Sequence, residues 1–208
     1  MQKYDVKKEH SALYSPSATT FSDVLVPPLN YLAVDGEGDP NTAPAYAAAI
    51  EALFSTSYTI KFASKARGRD FVVGPLEALW TADDAGVFVS RDKDSWRWTA
   101  LINQPEWITA DDVAAALKTI AAKKPNPALS LTRLITLDEG RSIQILHVGS
   151  YDDEGPTLAR LHDEHLPQNG LTFNGLHHEV YLSDARRTAP QKLKTVLRQP
   201  VRAALSTE

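Results

Sequence analysis

The chain has 208 residues, of which 43% are hydrophobic and 23% charged, and a net charge of −4. This balance excludes a disordered chain, and no apolar run reaches the length of a membrane span. The absence of cysteine excludes disulfides and thiolate metal sites, and an acidic balance without a long basic run disfavours nucleic acid as a partner. The opening MQKYDVKKEH has no apolar signal core behind it, so a cytoplasmic location is the default expectation.

Residues 1–20 read as a loose N-terminal arm, polar and ending in SPSATT. The stretch SDVLVPPLNYLAVDG predicts two strands joined by a turn at Pro27-Pro28. A helix follows, with Pro44 in its first turn, Asn41 and Thr42 as caps, and Ile50, Leu53, Phe54, Tyr58 and Phe62 spaced by three or four. DFVVGPLEALW reads as a strand interrupted at Gly74-Pro75, and SWRWTALI as a second strand. TADDVAAALKTIAAKK is the clearest helix, with Thr109 as its cap, Asp111 and Asp112 in its first turn, and PNP to stop it.

The second half opens on LTRLITLDEGRSIQILHVG, two apolar runs around DEGR, which is a hairpin signal. EGPTLARLHDEHL reads as a helix with Pro156 in its first turn. HHEVYL is a strand, APQKLK a short helical turn, and TVLRQPV a last strand.

The two halves match in order. Gly36 and Gly149 each end a second strand, PLEALW aligns with HHEVYL so that Glu77 matches Glu179, and TALINQP aligns with KTVLRQP. The expected fold is therefore α+β, a duplicated strand–helix–strand–strand repeat with pseudo-two-fold symmetry and a ligand groove between the repeats. The expected organisation is an arm over 1–20 and one domain over 21–208. Within it lie a first repeat (21–106), a linking helix (107–127) and a second repeat (128–208).

Alternation places His177, Glu179 and Tyr181 on one face of their strand, and His178, Val180 and Leu182 on the other. The second set contains two apolar residues and is expected to pack on a helix, leaving Glu179 and Tyr181 to face a groove. Glu77 would stand on its opposite wall. Ligand-lining residues expected around them are Tyr58, Trp80, Trp96, Trp98, Trp107, His147, Tyr151 and His177. The competing reading leaves Glu179 at a sheet edge in solvent, the usual place for glutamate. A partly desolvated carboxylate among aromatic rings suits two tasks. It can hold a cationic or hydrogen-bonding ligand, or act as a general base toward water.

Other motifs carry less. DGEGDP lacks the third glycine of a dinucleotide loop, and no Gly-x-Ser-x-Gly elbow is present. His162 and His165 of HDEH read as a solvated helix face rather than metal ligands, and Arg186 and Arg187 as surface residues. No metal or cofactor is expected.

Three stretches, HVGSYDDE, HHEVYLSDARRT and LKTVLRQPV, resemble the C-terminal motifs of the GyrI-like small-molecule-binding proteins. GEGDPN, SYTIKF, PLEALW and INQPEWIT resemble the standalone branch of that family. The resemblance implies a duplicated fold with Glu179 as the central acidic pocket residue. Family members include effector domains of helix-turn-helix regulators, gyrase-modulating proteins and standalone proteins. Some of the last are associated with hydrolysing cyclopropane-bearing DNA-alkylating natural products. The short polar lead-in predicts no fused DNA-binding domain, and direct DNA binding is not expected. The resulting expectation is a small-molecule-binding protein that hydrolyses flat electrophilic aromatic compounds, with Glu179, Tyr181 and Glu77 as catalytic residues. The alternatives are a non-catalytic sequestering module and a gyrase-interacting protein. The sequence leaves the oligomeric state open.

Overall fold

A computed structural model describes residues 3–82 and 92–205. The fold is mixed, with antiparallel strands and several helices. The chain divides into two compact units: Met1–Ser11 with Pro28–Leu137, and Ala12–Pro27 with Asp138–Glu208.

In the first unit the antiparallel ladder runs β3-β4-β2-β5, with β2 (Leu29–Glu37), β3 (Leu76–Thr81), β4 (Arg97–Gln104) and β5 (Arg133–Leu137). Helix α3 (Pro44–Ala66) covers one face. Gln104 on that face donates from Nε2 to Ser57 Oγ at 3.0 Å, and Trp98 meets Tyr46 edge-on at 4.9 Å. Pro44 starts α3 as expected, because its missing N–H costs nothing at the first position. Asn41 and Thr42 do not cap it: the N-cap is Ala43, and the preceding turn is closed by Asp39, which accepts from Asn41 N at 2.9 Å. Helix α4 (Ala110–Ala121) carries the capping box anticipated in part from Thr109, completed by Asp112.

Gly36 lies under Trp98, its partner across the β2–β4 ladder. A Cβ at Gly36 would stand 2.2 Å from Cη2 of an indole that is only 2% exposed. The ring is held by Tyr46 and has no room to retreat. Gly36→Ala is expected to destabilise the protein by about 1–3 kcal/mol, as overpacked cores do, read as a lowered thermal midpoint.

In the second unit the ladder runs β8-β9-β6-β1, with β1 (Ser22–Val26), β6 (Gly140–Val148), β8 (His177–Tyr181) and β9 (Lys194–Ala203). A short β7 (Leu171–Phe173), missed in the sequence, pairs with the end of β9. The helical layer is α5 (Gly155–Ala159), a π-helical segment (Arg160–His165) and α6 (Leu166–Gln168). Its Leu161 and Leu166 pack on Ile143 and Val201 of the sheet and on Leu171.

Among the described residues, neither the strands expected to be joined at Pro27-Pro28 nor those of the hairpin expected around DEGR pair with each other. β1 pairs with β6 and β2 with β5, so each unit is completed by a strand from the other half of the sequence. Pro27-Pro28 explains half of this. A two-residue hairpin turn needs positive φ, and proline is fixed near −65°. Between β5 and β6 the cause is Glu139, whose carboxylate is buried against side chains of the second unit. The repeat boundaries expected at 106 and 128 therefore do not coincide with the units.

Nor is the N-terminal segment a loose arm. α1 (Val6–Glu9) is capped by the Asp5 carboxylate, and α2 (Ser11–Tyr14) follows. Val6, Leu13 and Tyr14 are buried, and Tyr4 bridges to Phe71.

Candidate functional site

The alternation expected in β8 holds, but the faces are assigned the other way round. Glu179 pairs with Leu197, and Leu197 with Ile145. That row lies on the same side as Ile143 and Val201, the side that carries the helical layer. The ring contact between His162 and His177 at 6.0 Å agrees. The opposite side takes His178 and Val180. What decides the faces is Glu139: it accepts from His178 Nδ1 at 2.9 Å and from Arg198 at 3.1 Å, so His178 must turn toward it.

Glu179 is largely enclosed, with its side chain 13% exposed. The hydroxyl of Tyr181 donates to its Oε2 at 2.7 Å, and His177 Nε2 lies 3.4 Å from its Oε1. Tyr151 meets Tyr181 edge-on at 5.5 Å. Burial, then the negative charges of Glu154, Glu179 and Asp184, push the Tyr151 phenol up to about 12. It therefore stays protonated across the neutral range. His147, Thr195 and Tyr181 form the next cross-strand row. His147 Nε2 is engaged with the carbonyl of Ser150 at 3.1 Å, and Gly149 is required there because a Cβ would fall 2.8 Å from that nitrogen.

His162 was missed. It is half-buried rather than solvated, edge-on to Phe173 at 5.0 Å. Burial and then the neighbouring His177 pull its pKa down to about 4, so it is neutral near pH 7. The sequence signal is the five-residue spacing of Leu161 and Leu166. Both are buried, which requires the wider π turn and rotates His162 inward.

The remaining expected site residues lie in the first unit. Glu77 is fully buried, pairs with Leu101, and faces away from α3. Its position is not equivalent to that of Glu179. β3 and β8 are offset by one residue against their neighbouring strands, and a one-residue slip reverses a side chain's face. Trp80, Trp96 and Trp98 cluster with Tyr46: Trp80 stands 5.5 Å from Trp96, both edge-on, and 6.3 Å from Tyr46. Trp107 belongs to a different group, donating to Ser64 Oγ at 3.1 Å and lying under the Arg69 guanidinium at 4.3 Å. Tyr58 is 47% exposed on α3, stacked on Phe62. Among the described residues no group of three His, Cys, Asp or Glu side chains is gathered to hold a metal, and no helix is long and apolar enough to cross a membrane.

Comparison with known proteins gives a consistent result. Residues 20–202 match the family described as GyrI-like small molecule binding domain. An uncharacterized conserved protein from Listeria innocua, known from its crystal structure, is 35% identical with a TM-score of 0.88, covering 96% of this chain and 100% of its own. A hydrolase encoded by lin2189 from Listeria innocua is 36% identical with a TM-score of 0.87, covering 97% and 100%. Another Listeria innocua hydrolase structure is 35% identical with a TM-score of 0.84, covering 96% and 100%. No curated protein matches the chain.

Proposed function

The chain belongs to the GyrI-like small-molecule-binding domain family, and from that premise we propose that it binds flat electrophilic compounds at Glu179 and hydrolyses them. The matching ladder orders, β3-β4-β2-β5 and β8-β9-β6-β1, support a duplicated strand–helix–strand–strand motif as the scaffold. The observation that carries the chemistry is the enclosed Glu179 carboxylate, with Tyr181 bonded to Oε2 and with Oε1 making no hydrogen bond among the described residues, 3.4 Å from His177 Nε2. Hydrolase relatives at 35–36% identity support an activity of this class.

The substrate class is a strained cyclopropane conjugated to a carbonyl. Glu179 takes a proton from water as the water oxygen bonds to a ring carbon. The ring C–C bond breaks, and its electron pair moves to the carbonyl oxygen. Tyr151, held protonated, donates a hydrogen bond to that oxyanion, which then takes a proton from solvent as Glu179 releases its own. Removal of such alkylating compounds would protect the cell. The test is incubation with a cyclopropane-fused dienone, followed by mass spectrometry. Catalysed gain of one water is expected. Binding seen as tryptophan quenching, with the compound recovered unchanged, would instead assign a sequestering module.

A further inference from the structure

Two imidazoles beside Glu179 are not used by that reading, on which the following inference rests. His177 is partly buried on β8, but both of its ring nitrogens are enclosed and make no hydrogen bond among the described residues, Nε2 only standing 3.4 Å from Glu179 Oε1. Nor does Nε2 of His162, on the π-helical segment beside it. A buried polar atom without a partner costs about 1–3 kcal/mol, so three in one cluster call for a function.

We propose that His177 holds the Glu179 carboxylate in the orientation that meets the hydrolytic water, and that His162 packs His177 into place. The geometry suits it. His177 Nε2 is enclosed and stands 3.4 Å from Glu179 Oε1, so the imidazole bears directly on the carboxylate. With the carboxylate fixed between the Tyr181 hydroxyl and the imidazole, the water that gives it a proton has its lone pair aimed at the ring carbon. The proton still ends on Glu179, and the bonds made and broken are those given above.

The groups that face His177 are Glu179 from its own strand and His162 from the helical segment. A cationic His162 would compete with His177 for the Glu179 carboxylate. Burial prevents this by keeping His162 neutral. Its ring, clamped edge-on between Phe173 and His177, then acts as an apolar wedge.

The experiment measures kcat and KM on the cyclopropane-fused dienone. His177→Leu should lower kcat about 100-fold with KM unchanged, the cost of a misplaced general base, whereas His177→Gln keeps a hydrogen-bonding group and most of the rate. Should His177→Leu fold poorly, His177→Phe fills the same space and serves instead. His162→Ala should lower kcat about tenfold, and His162→Phe should restore it, because packing is the role assigned. Wild-type kcat in His177→Leu while Glu179→Gln is inactive would overturn the inference and leave the hydrolytic reading standing. A His162→Phe variant as slow as His162→Ala would overturn the wedge. Full rate in Glu179→Gln would remove the hydrolytic reading itself.

Discussion

Arg198→Leu is expected to lower the unfolding free energy by about 3–5 kcal/mol, the loss typical of breaking a buried ion pair. Arg198 is 1% exposed and is bonded to three acceptors. Its guanidinium donates to Glu139 Oε2 at 3.1 Å, to Gln144 Oε1 at 3.1 Å and to the carbonyl of Leu13 at 3.0 Å, and Glu139 in turn accepts from His178 Nδ1 at 2.9 Å. Gln144 in turn donates to the carbonyl of Ala12 at 2.8 Å. Removing the cation strands a buried carboxylate and frees the Leu13 carbonyl that it anchors. Stabilities of single domains run from about 5 to 15 kcal/mol, so this one change takes a large share. Urea denaturation of the purified variant measures it, and a loss below about 1 kcal/mol would show that the cluster contributes little.

The same cluster sets an acid limit. Burial alone would raise the Glu139 carboxyl; the His178 and Arg198 charges beside it outweigh that and bring it down to about 2. The folded state therefore binds fewer protons than the unfolded one in the acid range. Stability from this group is complete above the ordinary carboxylate pKa of about 4.5 and is lost as pH falls from there toward 2. The lost contribution is on the order of 3 kcal/mol. His162, also depressed, begins its loss earlier, from about pH 6.5 downward, since the unfolded imidazole takes its proton first. A Glu139→Gln variant should flatten the lower part of the melting-temperature profile and leave the upper part.

The second large effect falls on chemistry. Glu179→Gln is expected to lower kcat on the cyclopropane-fused dienone by about 10²–10⁴-fold, the range for loss of a general base. Glutamine has the same shape, and its carbonyl still accepts from Tyr181, so the fold and the thermal midpoint should stay where they are. Tyr181→Phe keeps the base and removes only one bond to it, and should lose far less. Stopped-time mass spectrometry on all three proteins separates these outcomes. Equal rates in wild type and Glu179→Gln would show that the carboxylate does not act on water.

Local signals identified most elements. Thr109 and Asp112 mark the start of α4, Pro44 marks that of α3, and the β-branched runs mark the strands of both units. Pairing was not legible, because a strand's neighbour is set by residues far along the chain. Ser22–Val26 looks like half of a hairpin until the pairing with β6 is seen. In β8 the alternation was legible and the side it turns to the helical layer was not. Glu179 and Tyr181 do share a face, and they do bond. Which face it is depended on Glu139 and Arg198, neither of which sits near HHEVY in sequence. The match of Glu77 to Glu179 failed by a single residue of register, the smallest shift that changes everything about a strand.

Strand exchange has a consequence for how the protein is made. Ser22 leaves the ribosome early, but its ladder partner Gln144 is synthesised roughly 120 residues later, a delay of roughly 6–24 s at about 5–20 residues per second. Through that interval the segment Ser22–Val26 has no partner strand, while β2, β3, β4 and β5 of the first unit can already assemble. The Pro27-Pro28 link that blocks the hairpin also keeps the waiting strand from folding back onto β2. A nascent chain paused before residue 140 would thus carry one finished unit and one unmatched strand, a substrate for chaperones that hold extended apolar segments.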